Sequence, residues 1–337
     1  MTEQGLKIVI PMAGLGTRLR PHTWSKPKPL VPLAGKTVLD YVLAQFDSLP
    51  EGMPREYVFI VSPGQEQAVR DHMQAHHPDL SVTFVEQGEM LGQSDALYQA
   101  RKELDGPLLI SFSDTLIETD LSTLPTDLDG LAWVQPVEDP RRFGVAEVDG
   151  QGRVRRLIEK PGDTSNRLAV VGFYFFRLSE RLVAAVEEQM RRGDARNGEY
   201  YLADAINILL EGGAAMRTRQ VDVWLDAGTP DALLETNRYL LAHGGDNSRQ
   251  VVVPPGVSLI APVYVPEDAH LASCVVGPYV SLGEGCSLED VVIRDSIVDA
   301  RAEVSQVVIE GSLIGCEAGV HGKSRHLNLG DNSWIDL

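Results

Sequence analysis

Apolar positions in the first two thirds of the chain come in short unbroken runs separated by segments of helical periodicity. LKIVI, EYVFIVS, SVTFVEQ and GPLLISFSD read as buried strands. Between them, Val38 to Phe46, Gln65 to His76 and Ser94 to Glu103 carry helix-like patterns. Further strands are expected at LAWVQPV, GVAEVD and AVVGFYFF, and helices at about Glu180 to Arg192 and Tyr201 to Glu211. Strands alternating with helices predict an α/β domain with a mostly parallel sheet covered on both faces.

After about residue 245 the helical pattern stops. Valines, glycines and small residues recur in short turns. Apolar residues repeat at a spacing of six: Val265 to Leu271, Val276 to Leu282 to Leu288, Val298 to Val304, and Ile314 to Val320. Six is the period of a left-handed parallel β-helix, with one aliphatic side chain per strand pointing inward. The expected organisation is residues 1–245 as one domain, 246–325 as a β-helix of roughly four coils, and 326–337 as a packing tail. The open end and flat faces of such a helix favour a homo-oligomer.

Composition and charge narrow the function classes. The chain has 337 residues and a formal charge of −18, which argues against a general nucleic-acid binder. No apolar run is long enough to span a bilayer, so no membrane partner is expected. The start, MTEQGLKIVI, lacks a signal-peptide pattern, so a cytoplasmic location is expected. The three cysteines have no histidine nearby at metal-ligand spacing and suggest neither a disulfide scaffold nor a zinc site.

Against that acidic background, IPMAGLGTRLRPHTWSKPKPLVPLAGK gathers basic side chains behind a Gly-rich turn that follows the first strand. Gly14 and Gly16 let backbone amides approach a phosphate. The glycine spacing is neither a dinucleotide fingerprint nor a P-loop. Arg18 and Lys28 nearby raise the prospect of a triphosphate, with lysine serving as a mobile point charge. Asp114 sits just beyond an apolar strand, where open α/β sheets place ligands. Asp226, in VWLDAGTP, is a second candidate; the two carboxylates could hold Mg²⁺, or act separately as a turn former and a helix cap. In RRLIEKPGD, Glu159 and Lys160 precede a Pro-Gly turn and on their own read as an exposed charged corner.

Taken in order, these stretches resemble the sugar-phosphate nucleotidyltransferases, closest to the longer glucose-1-phosphate thymidylyl- and uridylyltransferases with a C-terminal left-handed β-helix. The resemblance covers nearly the whole chain. It rests on GLGTRLRPHTWSKPKPLVPLAGK, EQGEMLGQSDAL, FSD, IEKP with VVGFYFF, and VWLDAGTPDALLETN. It implies a Rossmann-like, mostly parallel nucleotidyltransferase domain. It also implies that Gly14, Gly16 and Thr17 line the nucleotide and that Arg18 reaches its phosphates. Lys28 would neutralise charge at the α-phosphate, and Gln87 would read the base edge with Gly92 leaving room beside it. Asp114 and Asp226 would bind Mg²⁺. Glu159 would accept hydrogen bonds from sugar hydroxyls, Lys160 would hold the sugar phosphate, and Gly144 and Gly172 would allow the sugar close.

The implied reaction joins a nucleoside triphosphate, dTTP or UTP, to a hexose 1-phosphate such as glucose 1-phosphate. Alternatives are a GTP-dependent mannose-1-phosphate guanylyltransferase and a non-catalytic regulatory paralogue. A nicotinamide oxidoreductase is disfavoured by the glycine spacing.

Overall fold

The structure, a computed structural model, describes residues 5–323. The expected tail at 326–337 lies outside them. Two compact units are distinguished: one runs to Val31 and resumes at Lys36–Leu233; the other comprises Pro32–Gly35 and the chain from Leu234.

In the first unit, β1 (Leu6–Pro11), β2 (Arg55–Val61), β3 (Val82–Glu86) and β4 (Leu108–Ser111) form a parallel group in the order β3-β2-β1-β4. Ile8, Val9 and Ile10 of β1 and Phe59, Ile60 and Val61 of β2 are fully buried. Burial on both faces explains why these strands read as unbroken apolar runs. Beyond β4 the sheet becomes mixed. β5 (Thr115–Ile117) leaves it, while β6 (Gly130–Pro136), β7 (Gly144–Val148), β8 (Val154–Glu159), β9 (Leu168–Phe176) and β10 (Met216–Gln220) extend it. Here β9 runs antiparallel to β4, β6 and β7, and β7 runs antiparallel to β8. The parallel half thus meets the reading from sequence, and the other half departs from it. A separate ribbon pairs β5 with β11 (Trp224–Asp226), bringing Asp226 opposite Thr115.

The helices are α1 (Val38–Ala44), α2 (Glu66–His76), α3 (Gln93–Gln99), α4 (Ser179–Arg192), α5 (Leu202–Glu211) and α6 (Pro230–Leu240). The start of α1 is fixed by a capping box: the Thr37 hydroxyl accepts from the Asp40 amide, and the Asp40 carboxylate accepts from the Thr37 amide. Among the described residues, no helix is long and apolar enough to cross a membrane.

From Ser258, the described part of the second unit is a parallel β-helix. Leu271, Leu288, Val304 and Val320 stack in register, as do Leu282, Val298 and Ile314. All of them belong to, or pack against, its apolar core. Equivalent positions are 16 or 17 residues apart, one or two short of three full sixes. The corners account for the shortfall. The step between inward residues is five at the corner turned by Ser273, Asp290 and Gln306, with φ of 48°, 54° and 53°, and stays six at the corner turned by Gly285, Arg301 and Glu317, with φ of 64°, 54° and 58°. Left-handed residues turn both kinds of corner, and the mixture of five- and six-residue steps gives a coil of 16 or 17 residues. Cys274 and Cys286 are buried free thiols in this core; burial pushes Cys286 up to about 12, leaving it an inert apolar filler.

Candidate active site

Two cavities open along the carboxyl edge of the parallel strands, both within the first unit. The first, about 410 Å³, is bounded by the turn after β1, by Gln87 directly after β3, and by Asp114 after β4. This is where an open α/β sheet leaves a crevice. The turn is built by its two glycines for different reasons. Gly16 has φ 59°, and a Cβ there would lie 3.0 Å from Thr23 Cγ2 and 3.1 Å from Lys28 Cβ. The Thr23 hydroxyl donates to the Gly16 carbonyl at 2.8 Å, holding the turn against the segment that carries Lys28. Gly14 faces open space, with nothing within 4 Å of a Cβ placed on it. Thr17 and Arg18 follow in a short 3₁₀ turn and also line the cavity.

Gln87 is buried with one orientation of its amide. Its Nε2 donates to the Gly92 carbonyl at 3.1 Å and to Asp95 Oδ2 at 2.6 Å. Both partners can only accept, so the amide cannot be flipped without losing both bonds. The Oε1 atom is left as the acceptor of this cavity-lining group. Asp95 is itself held by Gln99 Nε2 at 3.0 Å. Gly92 has φ 101°, and a Cβ there would come within 2.6 Å of the Tyr200 carbonyl oxygen. The space its missing side chain leaves is therefore filled by the Tyr200 backbone. Gly92 and Gln87 nonetheless line the same cavity.

Asp114 stands on the wall common to both cavities, with Arg18, Gln93, Phe112 and Glu199. Lys28 Nζ donates to Asp114 Oδ2, and Arg18 reaches the same oxygen at 3.9 Å. Burial alone would raise the Asp114 carboxyl; the ammonium of Lys28, helped by Arg18, more than reverses it and holds the group below the usual range. Asp226 goes the other way, raised by burial and by the neighbouring Asp114 charge, with the Gly228 amide at 2.7 Å opposing. A Cβ on Gly228 would lie 2.7 Å from Asp226 Oδ1 and 3.4 Å from Asp114 Oδ2. The two carboxylates thus open onto one space that a glycine keeps clear. Two hard oxygen donors opening onto one space beside the Gly-rich turn fit Mg²⁺. The exposed Asp222 lines neither cavity.

The second cavity, about 510 Å³, runs from Asp114 and Asp226 to Glu159 and Lys160. Burial raises the Glu159 carboxyl, with Lys160 acting against it. Lys160 sits in the left-handed region at φ 49°, with Nζ 3.3 Å from the Tyr201 hydroxyl and 5.0 Å from its ring centre. Gly144 and Gly172 line the cavity, and each also makes room for a neighbour. A Cβ on Gly144 would lie 3.0 Å from Glu159 Oε2; one on Gly172, at φ 78°, would lie 2.6 Å from Phe112 Cδ2.

All thirteen residues singled out from the sequence line one or both cavities. The structure adds Trp224, Arg142, Phe112, Tyr201 and Gln93. Trp224 stacks edge-on to Phe143 at 4.8 Å, and its buried Nε1 has no hydrogen-bond partner among the described residues. No local sequence signal marks it, because its place depends on the pairing of β11 with β5.

The sequence model of the Nucleotidyl transferase family matches residues 7–243. Agl11, a low-salt glycan biosynthesis nucleotidyltransferase of Haloferax volcanii, is 30% identical over 98% of this chain and 100% of its own length. A glucose-1-phosphate thymidylyltransferase of Streptomyces antibioticus is likewise 30% identical, over 98% of this chain and 99% of its own. Among solved structures, a UDP-glucose pyrophosphorylase complexed with UDP-glucose shares the fold at a TM-score of 0.61 and 19% identity, covering 71% of this chain and 100% of that one. With a family match over most of its length and full-length relatives, the chain belongs to the nucleotidyl transferase family, as the likeness of its motifs to the sugar-phosphate nucleotidyltransferases implied.

Proposed function

We propose that the protein is a sugar-1-phosphate nucleotidyltransferase that takes dTTP or UTP and glucose 1-phosphate. The observation that carries the reading is the Lys28–Asp114 pair on the wall between two cavities, one edged by a Gly-rich turn and the other by Glu159 and Lys160. A triphosphate in the first cavity and a sugar phosphate in the second would bring their reacting phosphates to that wall.

A phosphate oxygen of the sugar 1-phosphate attacks the α-phosphorus. The new P–O bond forms as the bond to the β-phosphate bridging oxygen breaks, and pyrophosphate leaves with that electron pair. The attacking phosphate is already ionised, so no general base is needed. Catalysis is alignment and charge neutralisation. Gly14 and Gly16 present backbone amides to the phosphates. Arg18 neutralises the departing pyrophosphate, and Lys28 the charge developing at the α-phosphate. Lys160 holds the sugar phosphate, and Glu159 accepts from the sugar hydroxyls. Asp114 and Asp226 would hold Mg²⁺, which when bound supplies further charge neutralisation on the phosphates.

The base preference begins with Gln87. Its Oε1 accepts an N–H, such as the N3–H of thymine or uracil, and repels the bare N3 of cytosine and N1 of adenine; guanine also carries an N–H, at N1, so the choice against guanine leans on the relatives. The thymidylyltransferase relative supports thymine or uracil, and so does a 26% identical UTP–glucose-1-phosphate uridylyltransferase of Haloferax volcanii.

The test is a matrix of triphosphates against sugar 1-phosphates, read by pyrophosphate release with Mg²⁺. Turnover with dTTP or UTP and glucose 1-phosphate is expected. Turnover confined to GTP with mannose 1-phosphate would overturn the base assignment, and no turnover with any pair would favour a regulatory role.

A further inference from the structure

Away from both cavities, Asp40, His72 and His77 converge. His72 Nε2 lies 2.7 Å from Asp40 Oδ1 and His77 Nε2 lies 2.8 Å from the same oxygen. The three potential donor atoms are all within 4.8 Å of one another. We propose that this cluster is a binding site for a divalent transition-metal ion of the zinc class, distinct from the carboxylate pair at Asp114 and Asp226.

The local chain geometry builds the cluster. Histidines five residues apart do not share a face of an uninterrupted helix. Here α2 ends at His76, and His77 leaves helical backbone, with φ −136° and ψ 51°. That break swings its imidazole back beside His72. His76, at the i+4 spacing usual for helical ligand pairs, is exposed and lies tilted against the His72 ring, with ring centres 4.6 Å apart.

The carboxylate is oriented as a metal ligand would be. Asp40 Oδ2 accepts from the Thr37 amide at 2.7 Å and the Thr37 hydroxyl at 2.8 Å. The capping box therefore fixes one oxygen and directs the other at both imidazoles. Ligand carboxylates in metal sites are held in this way by outer hydrogen bonds. Side-chain exposures of 12%, 13% and 25% for His72, Asp40 and His77 leave the cluster sheltered but reachable. On a tetrahedral zinc ion, neighbouring donors stand about 3.3 Å apart. The present contacts would need to open by roughly half an ångström to admit the ion, leaving a fourth position to water. Two imidazoles and one carboxylate suit zinc, cobalt or nickel and disfavour Mg²⁺, which prefers oxygen donors.

The experiment uses the full chain with saturating Mg²⁺, so that the carboxylate pair is occupied. Zn²⁺ and, separately, Co²⁺ are titrated in. One equivalent of Co²⁺ is expected to develop visible absorption typical of low-coordinate cobalt. Zn²⁺ at about a hundred times its Kd is expected to raise the melting temperature by roughly 4–6 °C. His72→Ala and His77→Ala should lose both signals, and His76→Ala should keep them. Circular dichroism establishes that each variant is folded, and the milder His77→Gln serves if His77→Ala is not. No uptake by the unmodified protein, uptake undiminished in folded His72 and His77 variants, or equal loss in His76→Ala would each overturn the proposal. The first of these would mark the cluster as a hydrogen-bonded triad only.

Discussion

Lys28 and Asp114, 86 positions apart in the chain, form an ion pair at the boundary of the two cavities, with 10% and 24% of their side chains exposed. The carboxylate fixes an otherwise mobile lysine where charge would develop, so the ammonium is oriented before substrate arrives. The same contact holds the Asp114 carboxyl ionised.

Lys28→Ala is expected to lower kcat by about 10²-fold, about 3 kcal/mol of transition-state stabilisation. It also leaves a half-buried carboxylate short of a partner. The melting temperature should therefore fall, and Asp114→Asn added to Lys28→Ala should recover part of that fall without restoring turnover. Calorimetry and steady-state kinetics on the two variants check this. Unchanged kcat in Lys28→Ala would shift the role to another lysine, with Lys26 next in line.

Asp95 never touches substrate in this reading, yet it sets the direction of the Gln87 amide. Asp95→Asn gives Gln87 a partner that can donate as well as accept, so the flipped amide becomes accessible. The ratio of kcat/KM for UTP or dTTP over CTP should fall at least about tenfold, while kcat for the preferred substrate falls less. An unchanged ratio would show that Gln87 does not read the base.

Much of this arrangement was legible because its parts sit in contiguous motifs. The Gly-rich turn, Lys28 and Asp114 follow strands whose burial on both faces makes them unbroken apolar runs. Glu159 illustrates the opposite. RRLIEKPGD read as a charged corner, but its first half is β8. A register shift between Val154 and Arg156 places Arg155 and Arg156 both outward, which breaks the alternation that marks a strand. The polar strand MRTRQ escaped because it lies at a sheet edge, where only Met216 is buried. Trp224 and Phe112 carry no local signal, since the cavity that uses them arises only when β5 pairs with β11 across more than a hundred residues. In the β-helix, five-residue steps are interspersed with six-residue ones, so the six-residue spacing was visible but intermittent.

Glu159 gives a pH prediction. Burial raises its carboxyl above the ordinary glutamate range, so its folded pKa exceeds the unfolded one. Its contribution to stability is then present at low pH and is lost as pH rises through the folded value. Its binding role runs the other way, because only the carboxylate accepts two hydroxyl hydrogen bonds. KM for the sugar 1-phosphate should therefore climb as pH falls, beginning above the pH at which an exposed glutamate protonates. Glu159→Gln should flatten that limb. A limb unchanged in the variant would assign it to another group.

Gly14 and Gly172 separate a glycine needed by the ligand from one needed by the fold. Gly172 has φ 78° and Phe112 Cδ2 in the way of any Cβ, so Gly172→Ala carries both a left-handed backbone cost and a steric one. It should lose roughly 2–4 kcal/mol of stability and, by displacing Phe112 on the wall between the cavities, disturb both substrates. Gly14 has no positive φ and no atom within 4 Å of a Cβ, so Gly14→Ala should melt as the unmodified protein does. Its methyl group would instead occupy the approach to the backbone amides. KM for the triphosphate should rise about tenfold or more, with KM for the sugar 1-phosphate little changed. Thermal melts beside two-substrate kinetics on both variants decide the matter. A destabilised Gly14→Ala, or one with unaltered triphosphate KM, would mean the open space beside Gly14 is not where the phosphates lie.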